Sequence, residues 1–149
     1  MREFVRKHFS GDDGADTDTT VTGIPLAVAA LLVEILRADF ETSADERRRL
    51  LESLQRLLGL EQQACEELLA LAERHIDQSH DLYQFTSEIN RSWSPDQKLR
   101  LLEELWRVAQ ADEQLHKYEE HLIRRIADLL HVPHSGFIAA KLRSGADMT

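Results

Sequence analysis

Four carboxylates set in two matching turns are the residues of this chain best suited to chemistry: Asp39 with Glu46, and Asp112 with Glu119. Within each pair the Asp precedes the Glu by seven positions, and the pairs themselves lie 73 positions apart. Carboxylate oxygens are hard donors, so four of them converging from two turns would suit magnesium, calcium or manganese better than zinc. His116 and His121 flank the second turn, and Glu113 to His116 has the Glu-x-x-His spacing of carboxylate-bridged di-iron bundles. Such a centre needs the motif twice, and the first copy offers Phe40 and Ser43 instead, which argues against a ferritin-like oxidase. A purely structural reading competes with the metal. Glu46 three residues after Ser43 completes a capping box, Glu119 near a helix start is favoured by the helix dipole, and an Asp at a helix end can bond to turn N–H groups. On the residues alone both readings stay open.

The elements that must position these carboxylates follow from the apolar spacing. Ile24, Ala27, Val28, Leu31, Leu32, Ile35 and Leu36 recur at three and four, the stripe of a core-facing helix ending near Ala38. Ser43-Ala44-Asp45-Glu46 then predicts a helix start, and Gly59 a stop. Further helices are expected from about Glu61 to Asp77 and from about Asp81 to Trp93. Ser94-Pro95-Asp96-Gln97 combines an N-cap Ser, a Pro at the first helical position and a capping Gln, and Leu99, Leu102, Leu105, Trp106 and Ala109 form the stripe that follows. After the second acidic turn a helix from about Lys117 to Leu130 should stop before Pro133, and a last one should hold Phe137, Ile138 and Leu142. Each acidic pair thus joins two helices, and a duplicated helix-turn-helix unit can pack on itself around a pseudo-two-fold axis that brings both turns together. The expected fold class is all-α: a compact bundle of about seven helices built from two such units, with no strand.

Composition agrees with that class and narrows the function. The chain has 149 residues, 30% of them charged, with six Gly and three Pro, so one helical domain with a full core is expected. The expected division is an N-terminal segment over 1–20, a short helix followed by an acidic mobile linker, then the helical domain over 21–143, and a frayed tail over 144–149. A net charge of -9, with basic residues interleaved among acidic ones, argues against nucleic acid as partner. The charged N-terminus resembles no signal peptide and no apolar run approaches a membrane span, so a cytoplasmic protein is expected. Cys65, the single cysteine, sits among Leu68, Leu69 and Ala72 at helical spacing and reads as a small core residue.

No Gly-rich phosphate loop and no Ser-His or Cys-His constellation is present, so the chain reads as a non-enzyme. The seven His are scattered, with His75, His80, His131 and His134 near expected helix ends. Phe4, Phe9, Tyr83, Trp93, Trp106 and Tyr118 are candidates for an exposed patch serving a protein partner or homo-oligomer, although Trp106 continues a core stripe and is expected to be buried.

The paired pattern from Leu36-Arg37-Ala38-Asp39 to Glu46 with Leu57-Leu58-Gly59-Leu60, and from Val108-Ala109-Gln110-Ala111-Asp112 to Glu119 with Ile126 to Leu130, resembles the TerB-like domain of the tellurite-resistance family. The resemblance covers about Ile24 to Leu142. It implies an all-helical duplicated module of bacterial stress-response systems, with a metal-related role for the acidic turns: Asp39, Glu46, Asp112 and Glu119 as ligands of a divalent ion. The family's turn begins Ala-Asp-Gly, whereas Phe40 and Glu113 occupy the Gly position here. The alternative is an interaction or scaffold module whose acidic corners are structural.

Overall fold

The computed structural model describes residues 23–38, 44–78, 82–110 and 117–145. The segment through residue 22, Ser43 as a helix cap, Asp39, Asp112, His116 and the last four residues lie outside them. Among the described residues there are seven helices and no strand: α1 (Ile24–Arg37), α2 (Ala44–Leu58), α3 (Gln62–Gln78), α4 (Leu82–Ser92), α5 (Pro95–Ala109), α6 (Lys117–Leu129) and α7 (His134–Arg143).

Helix α1 has no charged or polar side chain between Pro25 and Val33, and ten of its residues, Leu26 to Val33 with Ile35 and Leu36, are buried. A core-facing stripe was expected there; instead Ala29, Ala30 and Val33 are sealed as well, so the helix is enclosed on every side. A helix apolar all round is satisfied only at the centre of a bundle. Accordingly α1 packs against α2, α3, α4, α5 and α6.

The remaining contacts have a regular pattern. α1 packs on α2 and α3 while α5 packs on α6 and α7; α2 touches α3 as α6 touches α7; α2 crosses to α5 and α6 crosses to α1; and α1 meets α5 directly. Exchanging α1, α2 and α3 for α5, α6 and α7 therefore reproduces this set of contacts. α4 stands outside the exchange, packed on α1 and α6, where Asn90 donates from Nδ2 to the Leu129 carbonyl at 2.9 Å.

Local signals at the helix ends behave as the sequence predicts. Ser94 and Gln97 form both bonds of the capping box at the start of α5, and Gly59 ends α2 at φ +68°. The end of α6 departs from habit. The Val132 N–H bonds to the Ala127 carbonyl at 2.9 Å and the His131 N–H to that of Asp128 at 3.0 Å, a full Schellman closure. The left-handed position in it, φ +62°, is occupied by His131 rather than Gly.

One crossing between the halves is held by charge. Glu104 of α5 is buried and accepts from Ser53 Oγ at 2.7 Å, from Arg56 Nε and Nη2 at 2.9 Å each, and from Arg107 Nη1 at 2.7 Å. Burial pushes its carboxyl up, but the bonds from Arg56 and Ser53 and the charges of Arg56 and Arg107 outweigh it and hold the carboxyl below its usual range. The forked Arg56 contact fixes the relative height of α2 and α5 as well as their approach.

On the far side of α5, Trp106 packs on Phe137 with ring centroids 5.3 Å apart, and Lys141 lays its ammonium 5.0 Å from the centre of the Trp106 ring while pairing with Glu120 at 3.5 Å. Trp106 is thus buried, as expected. α7 holds Phe137, Ile138 and Leu142, as expected; Leu142 is 56% exposed on it, because Phe137, Ala140 and Lys141 occupy the covered face of that short helix. Cys65 is buried, and burial, with Glu66 adding to it, pushes its thiol up to about 11, as befits a core residue rather than a nucleophile.

Two measurements check these features. Since the Glu104 carboxyl is depressed in the folded chain, its stabilisation is complete above the ordinary glutamate value of 4.5 and is lost as the pH falls through the lower folded value. Urea unfolding of Glu104→Gln at pH 7 is expected to show a loss of about 2 kcal/mol, discounted for the half-exposed Arg56, and a gap from wild type that narrows in acid. His131→Gly is expected to gain up to about 1 kcal/mol in the same assay by relieving a left-handed residue with a Cβ; an unchanged or lower stability would contradict the strained closure.

Candidate functional site

Glu46 and Glu119 occupy the third helical position of α2 and α6 respectively, counted from Ala44 and Lys117. Each heads the apolar stripe of its helix: Glu46 is followed at helical spacing by Leu50, Ser53 and Leu54, and Glu119 by Ile123, Ile126 and Ala127, all buried. As a result the two carboxylates point inward, and their exposures are 0% and 1%. Both interact with other groups of the chain, and in both the Oε2 atom is closed off from solvent.

A capping role does not require such burial. Gln97, at the third position of α5, makes its capping bond to the Ser94 backbone at 2.9 Å while exposed to water. Asp45, beside Glu46, is exposed and pairs with Arg48 at 3.1 Å. Burying a carboxylate costs several kcal/mol unless hydrogen bonds or an opposite charge compensate it, roughly the whole margin a cap could supply. Both glutamates have partners within the chain, and their matched burial sets these two corners apart from the exposed cap made by Gln97.

The space next to these corners is a cleft of about 310 Å³ lined by Glu34, Arg37 and Ala38 at the end of α1, Leu82 at the start of α4, and Tyr118, Leu122 and Arg125 on α6. Ala38 is the residue before Asp39, and Tyr118 the residue before Glu119. The crossing of α6 onto α1 thus puts the entry to the first acidic turn on the same cleft as the exit from the second. Asp39 and Asp112 lie outside the described residues. Among the described residues no three His, Cys, Asp or Glu side chains group as a metal-holding set.

Sequence reasoning missed the cleft arginines and the buried Glu104 group. Glu104 had a signal, since it falls on the stripe of Leu101, Leu105 and Val108, where a charge must find partners. Arg37 and Arg125 had none, because a lone Arg near a helix end is ordinary in a chain this charged. Of the aromatic candidates, Tyr83 and Tyr118 are each 65% exposed, whereas Trp93 packs partly against the core. No helix among the described residues is long and apolar enough to cross a membrane.

No curated protein and no solved structure gives a significant match to the chain. A family model does, that of tellurite resistance protein TerB, and it aligns with residues 25–142. This span runs from the first turn of α1 to the last turn of α7, so it takes in both acidic corners, the Glu104 crossing and the cleft. With its all-helical bundle and most of its length matched, the chain belongs to the TerB family.

Proposed function

We propose that this TerB-family module is a non-catalytic, cytoplasmic component of a bacterial stress response, and that its paired acidic corners bind a divalent cation. Asp39, Glu46, Asp112 and Glu119 are the proposed oxygen donors, taken as equivalent positions of two copies of one helix-turn-helix unit. The observation that carries the reading is the burial of Glu46 and Glu119 at the same position of two helices whose contacts exchange with one another. A hard cation of the magnesium, calcium or manganese class suits a set composed of carboxylates alone. Binding would neutralise charges that otherwise repel, and so would tighten the crossing of α6 onto α1.

Isothermal titration with each of the three ions tests the site. Saturable binding is expected for wild type and a loss of at least about tenfold in affinity for Asp39→Asn/Asp112→Asn. Ion at a hundredfold excess over its dissociation constant is expected to stabilise wild type by about 2.7 kcal/mol and the double variant by much less. Equal titration curves for the two proteins would eliminate the cation site.

A second reading, a protein-interaction or self-association module with structural corners, is favoured by the exposure of Tyr83, Tyr118 and Leu142. Under it, light scattering on a sizing column is expected to show a dimer or larger species that Tyr83→Ser/Tyr118→Ser converts to monomer. A wild-type monomer at high micromolar concentration would count against self-association.

A further inference from the structure

We propose that the cleft between α1, α4 and α6 binds a monocarboxylate carried on an apolar or aromatic body, with Arg125 receiving the carboxylate and Tyr118, Leu82 and Leu122 receiving the body. The lining is the opposite of the chain's overall character. Among the described lining residues, two arginines and one glutamate give a charge of +1, in a protein of net charge -9. Arg37 is engaged within the chain, as is Glu34. Arg125 has no acidic partner among the described residues and is exposed at the mouth, so its guanidinium is available to fork onto a carboxylate.

Charge and shape together select the ligand. A monoanion matches the net charge of +1 among the described lining residues, whereas a phosphate dianion would exceed it and meet Glu34. The apolar side is equally specific. Among the lining residues Leu82 is buried, Leu122 is half-buried and Tyr118 is 65% exposed. A volume of about 310 Å³ lies at the small end of ligand pockets, enough for one ring or branched chain next to its carboxylate. Two sources present that group: a free organic acid, and the C-terminal residue of a peptide. Both place a carboxylate next to an apolar body, and the recognition is the same.

The test is a heteronuclear NMR titration of the full chain in the presence of a chelator, which makes its outcome separate from that of the cation site. The probes are phenylacetate, N-acetyl-Leu-Phe with a free C-terminus, and the amide of each. Saturable shifts confined to Arg37, Ala38, Tyr118, Leu122 and Arg125 are expected with at least one acid and with neither amide, and the tighter acid names the source. Arg125→Gln is expected to weaken that binding about tenfold, the loss of one charge-assisted pair, with Arg125→Lys intermediate. Arg100→Gln, an exposed position on α5, is expected to leave it unchanged. Since Arg125 and Tyr118 are exposed, neither Arg125→Gln nor Tyr118→Ala threatens the fold, and circular dichroism checks this. Equal shifts from acid and amide, no saturation with either acid, or undiminished binding to Arg125→Gln would each overturn the proposal.

Discussion

A helix with no polar face has only one stable position, and α1 imposes that constraint on the whole molecule. Ten buried residues over four turns demand apolar partners on all sides, and five other helices supply them. Because α2 and α6 both lean on this central rod, the first turns of both helices, and the carboxylates in them, have their positions set by the packing of α1 rather than by the loops that precede them. Each apolar side chain enclosed along α1 contributes at roughly 25 cal/mol per Å² of surface removed from water, and ten of its residues do so.

Buried charge in this bundle is of two kinds. Glu104 is compensated in full view: three donors from two helices surround it, and the carboxyl stays ionised despite desolvation. Lys141 is handled more softly, with one carboxylate and the face of an indole ring. Glu46 and Glu119 are as buried as Glu104, yet they sit at helix starts, where the positive end of the dipole already favours a negative charge. That favourable field lowers the cost of keeping carboxylates inside. Both glutamates also interact with other groups of the chain, so the dipole adds to that compensation rather than standing alone.

How much of this was legible in the sequence depended on whether the signal was local. The capping box of Ser94 and Gln97 uses residues three apart and was readable without tertiary knowledge; so was the left-handed Gly59. Helix boundaries agreed within a residue or two for the same reason. The place of Leu142 in α7 was legible, but its exposure was not, because periodicity does not tell how wide a covered face is. The strained end of α6 was hidden because His131 carries no backbone signal of its own; Pro133 two residues later is what stops the helix and leaves His131 the turn. As for the site, the glutamates could be named from the repeat, but their burial could not. Capping predicts exposure, and only the registry of Glu46 with Leu50 and Leu54 turns it inward.

The exchange that relates the two crossings is broken at one place. Leu31, 73 positions before Glu104, stands where that carboxylate would be on the other side, so the Glu104 clasp that fastens α2 to α5 has no copy at that position of α1. The contact of α6 with α1 borders the cleft. The two crossings are thus fastened by different chemistry at this position, an ion pair to a buried carboxylate on one side and an aliphatic side chain on the other. A ligand entering the cleft would act as a wedge or a stitch between α6 and α1, and either would be felt along the helix that the rest of the bundle surrounds.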